Sequence, residues 1–344
     1  MQIQRLNGIY SYVEQPQMQV EVILASKGPV SPPIYTIRMR YPRPIHGEIM
    51  THRVFGRNAR SSRAVPVKTM LNEVRTIPYV PWHWGKNQAG MQADEECNEL
   101  VIPSHWIGEG GLTREEAWIH LRDEAADIAE AFMNAGYHKQ NPNRLLEAFS
   151  WIDTLITSTD WANFLWLREH GAAEPHLQDL AHLVAVAIDE TEVKDLAYGE
   201  WHQPYITGAD TVNLFLRPTK ETGKLLDSLT SQDDEITVGD ICNMISAARC
   251  ARISYKPFDG DASYEKEITR YNHLVTDERV HASPLEHQAT PDHMITIEGM
   301  MLDEEGNDKE HLGVRDFWNS PKLHGNLTGY IQARKLVPNE YYSG

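Results

Sequence analysis

Two stretches early in the chain alternate apolar and polar residues as half-buried strands do. They are residues 19–25 (QVEVILA) and 34–41 (IYTIRMRY). The intervening Ser26–Pro33 (SKGPVSPP) reads as a loop. Residues 45–63 are expected to begin as helix and to end in a loop. The period then changes. Ala117, Trp118, Leu121, Ala125, Ile128, Ala129 and Phe132 recur at helical spacing, Thr113 and Glu116 form a capping box before them, and Gly136 is a suitable stop. One helix is therefore predicted over 113–135, with that stripe facing the core. Further helices are expected over 142–150, 159–169, 175–189, 238–251 and 261–276. An acidic loop, Asp303–Glu310, precedes NLTGYIQARK, which is also read as helical. Residues 76–112, rich in Pro, Gly and Trp, read as an ordered irregular excursion, of the kind that builds sites more often than cores. Residues 203–236 are loop-rich and read as an insertion or linker.

Composition narrows the class. The chain has 344 residues, 41% of them apolar and 24% charged, with nine Trp and fourteen Tyr, which fits a folded globular protein and not a disordered one. No apolar run is long enough for a membrane span, and the first residues lack a signal-peptide core, so a cytoplasmic location is expected. Cys97, Cys242 and Cys250 make neither a disulfide framework nor a paired zinc spacing. Neither a G-x-G-x-x-G loop nor a Walker lysine loop is present.

The net charge of −17 speaks against a general nucleic-acid binder. It is unevenly placed. Between residues 36 and 70 stand Arg38, Arg40, Arg43, Arg53, Arg57, Arg60, Arg63 and Lys68, against Glu48 alone. That strip is +7 and the remainder −24, which suggests a pocket for a small anion. Residues 51–63 concentrate four Arg with three hydroxyl residues, a set suited to phosphate oxygens.

Three separated segments together resemble the flavin-dependent thymidylate synthases. That family carries Arg-His-Arg, seven residues, then Ser, and a further Arg. This chain has His52-Arg53, Ser61 and Arg63, with Asn58 at an internal Asn. Arg144 and then Asn163-Phe164-Leu165-Trp166-Leu167-Arg168 resemble the family's helical stretch. Ala248-Arg249-Cys250-Ala251-Arg252-Ile253-Ser254-Tyr255 and His281-Ala282-Ser283-Pro284-Leu285-Glu286-His287 resemble its Arg-x-Ser and Pro-x-Glu-His segments. In the family these last two come first, so the order here looks circularly permuted, as in a phage-type branch.

The resemblance implies an α/β (α+β) fold with helices beside an antiparallel sheet, one catalytic domain over 1–344, and a homotetramer. It implies FAD as cofactor, methylenetetrahydrofolate as one-carbon donor, dUMP or dCMP as substrate, and NADPH as candidate reductant. FAD would be held by His52, Arg53, Asn58, Asn163, Ser254, Ser283, Glu286 and His281. The nucleotide would be held by Arg60, Ser61, Ser62, Arg63, Arg144 and Arg168, with Arg168 and Ser61 in the catalytic roles. Arg168 would stabilise negative charge on the pyrimidine ring; a structural ion pair is the alternative for either helical Arg. His287 and Cys250 are read as packing residues. Glu48 stands where the family tends to have Gln, and a carboxylate suits the exocyclic amine of cytosine better than a uracil carbonyl. Thr51 and Ala172 depart from the pattern; Arg57 or Arg60 could replace the cation missing at Thr51. The product is methyl or hydroxymethyl, with hydroxymethyl favoured. A nucleotide-binding protein without catalysis and a His-based metallohydrolase are the competing classes.

Overall fold

A computed structural model of the chain describes residues 1–93, 95–104, 110–216, 237–254, 261–276, 280–302 and 308–341. Its centre is an antiparallel sheet in the order β1 (Ile3–Leu6), β2 (Ile9–Tyr12), β3 (Gln19–Lys27), β4 (Ile34–Pro42), β6 (Trp151–Ser158), β5 (Gly56–Ala59), with the short β7 (Lys194–Asp195) parallel to β3. The expected strands are β3 and β4. The architecture is a mixture of helices and antiparallel sheet, as expected at that level.

Strict alternation in β4 sorts the two faces. Ile37, Met39 and Tyr41 point to one side, where they meet Ile152 and Ile156 of β6 and the helices α5 (Trp161–Arg168) and α6 (Pro175–Asp189) through Phe164, Leu177, Leu180 and Val184. Thr36, Arg38 and Arg40 lie on the other side. There Arg40 pairs across the strands with Asp153 at 3.0 Å, and Thr36 bonds Thr157 at 2.6 Å. This polar face receives the later half of the chain. His202 bonds Thr36 at 2.8 Å and His287 bonds Thr157 at 2.8 Å, both rings fully buried. Burial keeps both imidazoles neutral, with pKa values lowered to about 3. His287 is thus the packing residue expected of it, and so is Cys250, whose thiol burial pushes up.

A second core joins α2 (Val67–Thr76), α3 (Arg114–Asn134) and α4 (Gln140–Leu145) around Met70, Val74, Ala126, Ala129 and Phe149. The capping box at Thr113 and Glu116 forms, and Gly136 takes φ +84°, open to glycine at little cost. The buried face of α3 is rotated from the expected one: Ala129 is buried and Trp118 and Ala125 pack against this core as expected, but Leu121 and Ile128 are 59% and 49% exposed, while Arg122 and Ala126 face inward. The small alanines let α3 approach α2 closely. The Arg122 stem is buried while its Nη1 donates to Val74 O at 3.0 Å, satisfying a carbonyl that the end of α2 leaves open.

A third cluster packs α7 (Gly208–Leu216), α8 (Val238–Ala251) and α9 (Tyr264–Leu274). Arg249 binds Asp210 through two nitrogens at 3.0 Å, and Tyr264 donates to Asp210 at 3.0 Å. Two antiparallel pairs follow: the hairpin β9 (Met294–Leu302) with β10 (Asp308–Trp318), and around it in sequence β8 (Ala289–Pro291) with β11 (Tyr330–Gln332).

Several expectations are corrected. Residues 151–158 and 56–59 form strands that the pattern did not show. Residues 142–150 divide into α4 and a 3-10 turn, Glu147–Phe149. NLTGYIQARK is strand β11 followed by the short helix α10 (Ala333–Leu336), because Tyr330 and Gln332 alternate into the interior. The 203–236 stretch contains α7, and 217–236 lie outside the described residues, as do Asp94 and Asp303–Asn307. The expected excursion over 76–112 is irregular, held by bridges Gly85–Glu96 and Val101–Leu112. No helix among the described residues is long and apolar enough to cross a membrane.

Candidate functional site

A cavity of about 590 Å³ opens where three distant pieces of chain converge: residues 46–59, the 3-10 turn Ser283–Glu286, and residues 325–335. Arg53, Ser283 and Glu286, expected together from separate motifs, line it together. So do Arg57, Arg334 and Lys335, which gives four cations against the single lining carboxylate of Glu286. Gly56 permits the convergence. A Cβ there would meet Glu286 Cβ at 3.1 Å and Glu286 O at 3.2 Å, so β5 and the turn could not sit so close with a side chain between them.

The lining is held from behind. Glu286 pairs with Arg334 and accepts from the Arg57 N–H at 3.3 Å. Burial pushes its carboxyl up from the ordinary value, and Arg334 and Arg57 pull against that shift. Arg334 also binds Glu340 at 2.8 Å, and Lys335 binds Glu340 at 2.5 Å. Arg57 donates to Met50 O at 2.9 Å and His52 O at 3.3 Å. Arg53 is exposed and has no ion partner among the described residues. His46 bonds the Tyr41 hydroxyl at 2.8 Å; burial, then the charges of Arg43 and Arg57, lower it to about 4.

His52 lies just behind the lining residue Phe55, with its ring stacked at 5.5 Å. Its Nε2 accepts from Arg168 Nε at 2.9 Å, and Arg168 Nη2 donates to Thr51 at 3.0 Å. The first and second motifs therefore meet. Burial, then Arg168 and Arg57, lower the His52 pKa, so His52 accepts as a neutral ring.

The phosphate candidates gather elsewhere. The loop at Ser61–Val65 is braced by Asn143, which donates to Ser62 O at 2.7 Å and Val65 O at 2.8 Å, and by Lys139, which donates to Ala64 O at 3.0 Å. Ser61 accepts from the Arg63 N–H at 3.3 Å, Ser62 is buried, and Arg63 and Arg144 are exposed without ion partners among the described residues. Arg144 is the next residue of α4 after Asn143. Arg60 differs from expectation. Its guanidinium bonds Glu73 at 2.8 Å and lies 3.6 Å from Asp153, in a network shared with Arg40. Of the two candidates to replace the cation at Thr51, Arg57 is the one in the cavity. Asn163 and His281 are exposed and do not line it. Among the described residues, the buried Asn58 has no partner for its Nδ2, and Glu48 has none for its buried Oε2. The side chain of Ser254 lies outside the described residues.

Sequence reasoning missed His46, Gly325, Asn326, Gln332, Arg334 and Lys335. No local signal pointed to them: Gln332 ends β11, Arg334 and Lys335 lie in α10, and their place at the cavity depends on β11 pairing with the distant β8. No protein-family model matches the chain, and no curated protein matches it either.

Proposed function

We propose that the chain transfers a one-carbon unit from methylenetetrahydrofolate to C5 of a deoxypyrimidine monophosphate in a flavin-dependent reaction, with 5-hydroxymethylation as the outcome. The observation that carries this reading is the meeting of Arg53, Ser283 and Glu286, from motifs more than two hundred residues apart, in one cation-rich cavity. Their donor set fits a phosphorylated cofactor: guanidinium forks, a hydroxyl, the Asn326 amide and the backbone of Gly325, in a volume ordinary for such sites.

Bound there, FAD would supply the redox and carrier chemistry. Arg53, Arg57, Arg334 and Ser283 would hold its phosphates. Arg63, Arg144 and the Ser61–Ser62 loop would take the nucleotide phosphate. Arg168 has its Nε and Nη2 fixed by His52 and Thr51, which leaves Nη1 to face charge developing on the pyrimidine. A neutral His52 orients that guanidinium without adding a competing charge. The carboxylate at Glu48 favours dCMP, since it accepts from an exocyclic amine and has no donor for a uracil carbonyl. FAD, methylenetetrahydrofolate and NADPH supplied with dUMP or dCMP test the reading by product mass. Hydroxymethyl-dCMP is expected. A methyl product from dUMP would move the reading to thymidylate synthesis, and nucleotide binding without product would favour a non-catalytic binder.

A further inference from the structure

A second cavity, about 640 Å³, lies in the irregular excursion and shares no lining residue with the first. Its walls are Tyr79, Pro81, Trp84, Val101, Trp118 and Leu121. Trp84 and Trp118 stand nearly perpendicular, 83° with centroids 5.9 Å apart, and Tyr79 meets Trp118 at 85° and 6.0 Å. Trp118 at right angles to both other rings makes a corner that offers both a face and an edge to a flat ring. The corner is braced. Trp118 donates to Tyr79 O at 2.9 Å, and His83 and Trp82 both bind Asp179 at 2.8 Å.

The charge at this cavity selects among flat ligands. Arg114 is its lining cation, and it is already committed to Glu96, Glu115 and Cys97 O, all within 2.9 Å. Glu99 lines the cavity with no partner among the described residues. Counted with their ion partners, Arg114, Glu99, Glu96 and Glu115 carry −2, and the lining His83 is offset by Asp179, whereas the first cavity with Glu286 and Glu340 carries +2. A phosphate would be repelled, while an amino group could donate to Glu99.

We propose that this cavity binds a planar heteroaromatic amine without a phosphate, of the nucleoside class, with its ring in the Trp84–Trp118 corner and its amino group at Glu99. The proposal does not depend on the flavin reading. Adenosine and cytidine, compared with AMP and CMP, are the probes, followed by tryptophan fluorescence and calorimetry on the full chain. Cys97 gives an independent readout. It lines the cavity and is partly exposed, whereas Cys242 and Cys250 are buried, so alkylation should fall on Cys97 and a bound nucleoside should slow it. The account expects saturable binding of at least one nucleoside, weakened about tenfold in Trp84→Leu, the scale of one lost ring stack. Glu99→Gln should weaken it as well and narrow the gap to the monophosphate. Circular dichroism confirms that the variants fold, and Cys97 protection in the unaltered chain holds whether or not they do. Absence of saturable binding and of Cys97 protection, or binding of AMP and CMP as tight as that of the nucleosides, would overturn the proposal.

Discussion

The two cavities are nearly equal in size and opposite in construction. The first draws on residues 46–59, 283–286 and 325–335 and is lined by four cations. Most of the second comes from residues 79–121, with aromatic rings and a carboxylate, Glu99, that has no partner among the described residues. The contrast shows how an acidic chain can offer an anion a landing place. Its cations are concentrated where distant strands and turns meet, and Glu340 and Glu286 orient two of them without cancelling all four. Local sequence suffices for an aromatic corner, because neighbouring Trp and Tyr residues need only one loop and one helix to hold them.

Substitutions should separate the two. The largest effect is expected from Arg334→Ala, which leaves Glu286 with no side-chain partner in a mostly buried place. Urea denaturation should show a loss of about 1–3 kcal/mol, flavin affinity should fall, and nucleoside binding at the second cavity should not change. Asp179→Asn attacks the other side by weakening the support of both His83 and Trp82. It should cost about 1–2 kcal/mol by the same measurement, with flavin affinity preserved. Equal loss of both binding activities in either variant would contradict the separation.

Gly56→Ala is a finer probe. Its Cβ would press on the Glu286 Cβ and carbonyl, so about 1 kcal/mol of stability is expected to go, with the loss of flavin affinity exceeding any loss at the second cavity.

The smallest effect is in the pH dependence, and its sign differs between the cavities. Burial and neighbouring Arg lower His46 to about 4. Its contribution to stability is present above 6.5 and is lost as pH falls toward 4. The hydrogen bond to Asp179 raises His83 above 6.5. That contribution is complete below 6.5 and is lost as pH rises through the folded-state value. Histidine NMR titration should place the His46 midpoint below 6.5 and that of His83 above it; the reverse order would break the contrast.

The same division governs what the sequence made legible. Periodic, capped elements such as α3, α6 and α8 were readable from spacing, as was the Pro- and Trp-rich excursion. The strand at 151–158 was hidden because its apolar and polar residues come in pairs (Trp151-Ile152, Asp153-Thr154, Leu155-Ile156, Thr157-Ser158), so that it shows no alternation although both of its faces are buried. The buried face of α3 was read only in part: Trp118, Ala125 and Ala129 were on it, but the Arg122 stem and Ala126 pack where Leu121 and Ile128 were expected. In the first cavity, Arg53, Ser283 and Glu286 were named from motifs, and Arg57 was named as a possible replacement cation. Arg334, Lys335 and Asn326 were not, since their membership depends on β11 pairing with β8, a contact across about forty residues that no local pattern records.

The central claim is that the cation-rich cavity holds a flavin, and equilibrium titration of the full chain with FAD, followed by flavin absorbance and fluorescence, tests it most directly. The account predicts saturable binding that weakens about tenfold or more in Arg53→Ala, the scale of a lost charge-assisted hydrogen bond, and is unmoved in Trp84→Leu. Failure of the folded chain to bind FAD, or binding that Arg53→Ala leaves intact and Trp84→Leu removes, would contradict it.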